Sequence, residues 1–250
     1  MKRLVFTIVL CISFTASSQE VVKLFAEGNT FYKEGDYNRA IGLYLAIEEQ
    51  GYQSDDLFFN LGNSYYKLNK VAPSIYYYEK ALKINPRHED ALFNLSFAKR
   101  MTIDVIEELP KSFLQRFSEN IIQKLPFDTW AIIAVMASFL ASLLFLLYHF
   151  SASSKKKLFF FNTTILAVFI LGVSVFFAFS NFDSVQKNRI AIIFAPKTEI
   201  MNAPTNSSDE VFELHEGTKV LILDELDNWK KIKLADGKIG WIKDDDLKEV

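Results

Sequence analysis

Two stretches of this 250-residue chain carry no Asp, Glu, Lys or Arg: residues 129–150 (TWAIIAVMASFLASLLFLLYHF) and 158–180 (LFFFNTTILAVFILGVSVFFAFS). As a helix, either run rises about 33 Å at 1.5 Å per residue, enough to cross a hydrocarbon core of about 30 Å. Burying both as core helices would need a large soluble domain around them, and the rest of the chain is too short to supply it. They are therefore predicted to be transmembrane helices. The segment between them, residues 151–157, reads SASSKKK and ends in Lys155, Lys156 and Lys157. Short lysine-rich loops stay in the cytoplasm, so this loop is predicted to be cytoplasmic and both flanking domains to lie across the membrane.

A third apolar run begins the chain. Lys2 and Arg3 precede Leu4–Phe14, and the small residues Ala16, Ser17 and Ser18 follow. That is the layout of a secretory signal peptide over residues 1–18. The single cysteine, Cys11, lies inside it. Removal of the peptide would leave a chain with no disulfide, no Cys-bound metal and no thiol nucleophile. Export of the N-terminal domain agrees with the side assigned from the lysines.

Residues 21–101 repeat themselves at a period of 34. Leu24, Phe25, Gly28, Asn29, Phe31, Tyr32 and Lys33 fall on Phe58, Phe59, Gly62, Asn63, Tyr65, Tyr66 and Lys67. Ala40, Ile41 and Tyr44 fall on Ser74, Ile75 and Tyr78, and Phe58–Gly62 falls on Leu92–Ser96. The pattern resembles the tetratricopeptide repeat, with repeats at 21–54 and 55–88 and a partial one at 89–101. Gly28 and Gly62 sit mid-helix at a cost of about 1 kcal/mol against Ala, which marks a close approach by a neighbouring helix. Asn85-Pro86 is read as the cap and first turn of the third repeat's helix. Residues 102–128, interrupted by Pro110 and Pro126, are expected to form a helical capping and juxtamembrane segment.

The resemblance implies a concave, ligand-binding face lined by each repeat's first helix. Asn29 and Lys33, like Asn63 and Lys67, are spaced i,i+4 and share one helix face. With Tyr32, Tyr66, Asn60 and Asn94 they form the candidate groove, polar groups meeting a peptide backbone or carboxylate and tyrosines covering its apolar parts. A solvated helix face is the competing reading for any one of them. As exposed positions, Asn63 and Lys67 are expected to tolerate truncation without loss of stability.

From Arg189 onward the sequence turns to short strands: RIAIIF, KVLILDE, WKKIKL and KIGWI, separated by turn residues such as Asp236-Gly237. The order of Leu214–Val220, Trp229 and Gly240-Trp241-Ile242 resembles a bacterial SH3-like barrel over residues 187–250. Trp229 and Trp241 are expected to fill part of its interior, and His215 to be a turn residue. In the first apolar run, Ala134, Ser138 and Ser142 recur every four residues and form a candidate helix-packing stripe within lipid.

Charge and composition exclude some functions. Residues 20–128 carry 13 basic and 16 acidic side chains and residues 181–250 carry 10 and 14, giving no basis for nucleic-acid binding. His88, His149 and His215 are scattered over three segments, with no convergent nucleophile, base and oxyanion donors, so neither an enzyme nor a metal or cofactor site is expected.

The whole reading is a multidomain membrane protein: an all-α repeat solenoid, a two-helix hairpin and a small all-β barrel. That order, with SIYYYEKALKINPRHEDALFNLSFAK and IDVIEELP, resembles the BatE family of the Bacteroidetes aerotolerance operon over essentially the full length. The resemblance implies a non-enzymatic inner-membrane scaffold with both large domains periplasmic. Its implied partners are von Willebrand A-type proteins of a system that also includes a MoxR-type ATPase. The alternative is a cell-wall sensor reading peptidoglycan through the barrel.

Overall fold

The computed structural model describes residues 19–107 and 109–250; the signal-peptide assignment, with Cys11, lies outside them. Residues 19–107 and 189–250 form one compact unit, and residues 109–188 form another.

The first unit begins with five helices in antiparallel succession: α1 (19–34), α2 (Tyr37–Glu49), α3 (Asp55–Lys67), α4 (Val71–Ile84) and α5 (Glu89–Ala98). Their ends follow local chemistry. Asp36 and Ser54 accept the amides of Arg39 and Leu57, closing the first turns of α2 and α3. Gly35 and Gly51 terminate helices with φ of +84°, a conformation glycine adopts without penalty. The third repeat opens differently from the expectation. Asn85 ends α4 and donates to Asp55 at 2.7 Å, while His88 caps α5 by accepting the Ala91 amide through Nδ1. Pro86 thus lies in the connection rather than in a helical first turn.

Inside the repeats, Tyr44 and Tyr78 are fully buried, and each ring lies against the glycine of the preceding helix. A Cβ placed on Gly28 would fall 2.6 Å from Tyr44, and one on Gly62 would fall 2.6 Å from Tyr78. The glycines of the period therefore make room for the tyrosines of the same period.

The rest of this unit is a seven-stranded antiparallel sheet. Its strands are β1 (Arg189–Ile193), β2 (Lys197–Met201), β3 (Glu210–His215), β4 (Lys219–Leu226), β5 (Trp229–Lys233), β6 (Ile239–Lys243) and β7 (Leu247–Glu249), in spatial order β3-β2-β6-β5-β4-β1-β7. Its core is aliphatic, built from residues such as Ile193, Ile200, Ile222, Ile232 and Ile242. Trp229 and Trp241 are only half-buried and stand outside that core, each with a lysine above its ring. Two face-exposed tryptophans thus replace the interior role expected of them.

Strand β1 explains why RIAIIF is apolar on both faces. Ala191 and Ile193 enter the sheet core, while Ile192, pointing the other way, packs with Ile75, Tyr78, Leu95 and Ala98 of the helices. Residues 102–107 are non-helical, contrary to the helical capping segment expected for 102–128. Ile106 joins the sheet core instead. Asp104 accepts the His215 amide at 2.7 Å and the Thr218 hydroxyl at 2.6 Å, and its other oxygen lies 2.9 Å from His215 Nδ1. The β3–β4 turn is thereby pinned to the segment leaving the repeats. Nearby, the buried Glu79 carboxylate meets Lys219 at 2.8 Å and Lys99 at 3.5 Å.

The second unit contains α6 (Phe113–Phe117), a π-turn at Ser118–Ile122, α7 (Phe127–Phe150) and α8 (Ser154–Lys187). Both α7 and the stretch Ser154–Ser184 of α8 are long and apolar enough to cross a bilayer, and only 17% of the most apolar window of each is buried. The two helices meet through small residues at heptad spacing, Ala134, Ala137 and Ala141 on α7 and Ala167, Ser174 and Asn181 on α8. The expected stripe is corrected here. Ala134 belongs to the contact, but Ser138 and Ser142 are exposed, and Ser142 donates to the Ser138 carbonyl of its own helix. At one end of the hairpin Trp130 Nε1 donates to the Ile122 carbonyl and Asn181 to the Leu125 carbonyl. At the other, the connection shrinks to residues 151–153, and Lys155–Lys157 occupy the first turn of α8 instead of a loop.

Candidate partner-binding groove

The repeat period delivers Asn29 to α1 and Asn63 to α3, and both have structural work. Asn29 Oδ1 accepts the Tyr44 hydroxyl at 2.7 Å and the Asn60 amide at 3.0 Å. One repeat on, Asn63 Oδ1 accepts the Tyr78 hydroxyl at 2.7 Å and the Asn94 amide at 2.8 Å. Burial first, and the nearby Tyr32 phenol second, push the Tyr44 pKa up to about 12. Burial likewise raises that of Tyr78. Both phenols stay protonated at neutral pH and act as donors to the asparagines. The sequence expectation that Asn63 could be truncated freely is thus overturned: without it a buried tyrosine hydroxyl loses its acceptor.

These bonds stitch α1, α3 and α5 together and leave the Nδ2 amide of Asn63 and the Oδ1 of Asn94 without partners among the described bonds, one donor and one acceptor. Beside them opens a groove of about 260 Å³. Tyr32 of α1, Asn63, Tyr66 and Lys67 of α3, and Phe93, Asn94 and Phe97 of α5 line it. Five of the eight residues proposed from sequence converge there. Asn29 and Asn60 form the neighbouring amide pair one repeat away, and Lys33 is exposed outside the groove.

Phe93 and Phe97 were not among the candidates. Their rings meet edge to face at 4.8 Å, and the Arg100 guanidinium lies 4.9 Å above Phe97. Shifted back by one period, Phe93 falls on Phe59, which is covered by Tyr78 and the His88 ring. The third repeat has no such following helix, so Phe93 remains 64% exposed. The repeat alignment carried the signal, but only the truncation of the array uncovers the ring.

Residues 56–88 match the tetratricopeptide repeat family. That stretch covers α3 and α4, the two helices that hold Asn63, Lys67 and Tyr78. Over 80 residues, 31% of its length, the chain is 28% identical to the photosystem I assembly protein Ycf3 of Acaryochloris marina (strain MBIC 11017). It spans about half, 48%, of that relative's length. Among the described residues, no group of three or more His, Cys, Asp and Glu side chains is placed to hold a metal ion.

Proposed function

We propose that this chain is a non-enzymatic adaptor anchored in the bacterial inner membrane, holding a segment of a partner protein in the groove of its repeats. The observation that carries the reading is the convergence of an aromatic surface, a free amide donor and acceptor, and an exposed lysine on three successive first helices. An extended peptide fits this chemistry: its backbone meets Asn63 and Asn94, an apolar side chain rests on Tyr66, Phe93 and Phe97, and a carboxylate meets Lys67. The matched repeat is a protein-interaction module, and the relative's printed role is assembly of another protein complex. By its resemblance to BatE the chain would serve a membrane system with von Willebrand A-type partners.

Two observations support placing the repeats and the sheet together in the periplasm. Lys155–Lys157 mark the hairpin tip as cytoplasmic. Independently, the repeats and the sheet share a core around Ile75 and Ile192, so both must lie on one side of the bilayer.

The test is capture of partners by crosslinking in native membranes, followed by affinity measurement on the captured protein. Lys67→Ala removes a charged contact from the groove without touching the Asn63–Tyr78 bond. A charge-assisted hydrogen bond contributes roughly 1.5–3 kcal/mol, so affinity should fall about tenfold or more. Phe93→Ser should act in the same direction, and Arg39→Ala, outside the groove, should have no effect. Undiminished binding by both groove variants would refute the reading.

A second reading, a cell-wall sensor, draws on the half-exposed Trp229 and Trp241 with Lys243 and Lys231 over their rings. Retention of the full chain on purified wall material, lost in Trp241→Ala but not in Lys67→Ala, would favour it instead.

A further inference from the structure

At the lysine-bearing end of the hairpin the two helices are not flush. Phe145 and Tyr148 of α7 and Phe161, Thr164, Ile165 and Val168 of α8 enclose a groove of about 220 Å³. Of its two hydroxyl-bearing side chains, Tyr148 and Thr164, neither presents polar surface to the groove, and the Thr164 hydroxyl donates to the Phe160 carbonyl at 2.7 Å. The groove is therefore apolar in practice. It is also smaller than the roughly 300–1,000 Å³ typical of drug-sized ligands, a size suited to a single chain or side chain.

Lysine stands directly above it. Lys157, Phe161, Thr164, Ile165 and Val168 follow one another at i, i+4, i+7, i+8 and i+11, one face of α8. The Lys157 ammonium lies 6.0 Å from the centre of the Tyr148 ring, which is itself a groove wall. From Thr129 to Phe182 the chain contains no carboxylate. Among the described residues, moreover, Lys155, Lys156 and Lys157 form no ion pair. Their countercharge must come from outside this segment.

We infer that this end of the hairpin is a binding site for one anionic phospholipid, its phosphate at Lys157 with Lys155 and Lys156 beside it, and an acyl chain in the groove between Tyr148 and Val168. The inference rests on the hairpin lying in a bilayer. A lysine at the headgroup level keeps its ammonium in the polar zone while its stem covers apolar surface, which is the position Lys157 holds over Tyr148. The combination of apolar groove and unneutralised cations on one helix face selects an amphiphile with a negative head.

The test uses the full chain purified in detergent, incubated with dioleoylphosphatidylglycerol or with dioleoylphosphatidylcholine, washed, and analysed for retained lipid by native mass spectrometry. The two lipids share their chains and differ in head charge. Phosphatidylglycerol should be retained at about one per chain, with a preference of about fivefold for each lysine engaged. Lys157→Gln should cut that preference about fivefold, whereas Lys157→Arg should keep it. Val168→Phe, which fills the groove, should reduce retention of both lipids. Water-soluble glycerol 3-phosphate should not displace the lipid.

Equal retention of the two lipids by the unaltered chain would overturn the proposal, as would a preference unchanged in both Lys157→Gln and Val168→Phe. Displacement by glycerol 3-phosphate would make this a phosphate site instead, and loss of a co-purifying protein rather than lipid in Val168→Phe would give the groove to a partner helix. A chain that stays in solution without detergent and retains neither lipid would fail at the earlier step, the membrane anchoring itself.

Discussion

Replacing Gly62 with Leu should destabilise the repeats rather than stabilise them. Helix propensity alone favours the substitution by about 1 kcal/mol, since glycine is the poorest non-proline helix former. Packing opposes it. The new Cβ alone would lie 2.6 and 2.7 Å from two atoms of the Tyr78 ring, which is fully buried. Overpacking of this kind costs about 1–3 kcal/mol or more. Moving the ring also breaks the Tyr78–Asn63 bond and strands a buried hydroxyl, a further cost of about 1–3 kcal/mol. The net loss should be on the order of 3 kcal/mol. For a unit of this size that lowers the melting temperature by roughly 10 °C, followed by the helical circular dichroism of the full chain. A melting temperature at or above that of the unaltered protein would show that the tyrosine is not locked against the glycine.

A comparable loss is expected from Asp104→Ala, and it should come with an acid signature. The substitution removes the acceptor of the Thr218 hydroxyl, of the His215 amide and of a contact to the His215 ring. Hydrogen bonds to a carboxylate contribute about 1.5–3 kcal/mol each and are not additive within one cluster, so a total near 3 kcal/mol is expected. Burial acts to raise the Asp104 pKa, but the hydrogen bonds from Thr218 and His215 outweigh it and hold the carboxyl below its usual range. A group whose pKa is lower folded than unfolded stabilises the fold above its unfolded value, near pH 4, and loses that contribution as pH falls through the folded value. Asp55, Asp236 and Glu249 are depressed as well, each by its own partners. The informative quantity is therefore the difference between the unaltered chain and Asp104→Asn. The unaltered protein should be the more stable at pH 7, and the gap should narrow as pH falls below about 4. A gap independent of pH would mean that the Asp104 charge does not hold the sheet to the repeats.

Much of this architecture can be read in the sequence because its cause is local or periodic. Two charge-free runs determine their own lengths, and a 34-residue period brings Gly28 to Gly62 and Tyr44 to Tyr78 without any knowledge of the fold. The alternation in β4 and β6 is equally local. What escapes reading is what the chain brings together from a distance. Asp104 and His215 lie 111 residues apart, and nothing near either announces the other. Ile192 looks like any strand residue until the helices cover its second face.

The groove shows the same division at the scale of single residues. Recurrence of Asn, Tyr and Lys put Asn63, Tyr66 and Lys67 on one face, and all three line the groove. It could not show that the carbonyl end of Asn63 is already occupied by Tyr78. Phe93 joined the groove because the array stops, and a periodic pattern is least informative at its end. Lys155–Lys157 read as loop because lysine runs favour water; apolar residues from Leu158 onward draw the helix back over them.

The central claim is a single body, made of the repeats and the sheet, carried on one side of a membrane by the hairpin between them. Alkaline phosphatase fusions test it most directly, because that enzyme forms its disulfides and becomes active only outside the reducing cytoplasm. Fusions after Glu107 and after Val250 should both be active, and a fusion after Ala152 should be inactive. Activity after Ala152, or opposite results at Glu107 and Val250, would contradict the account.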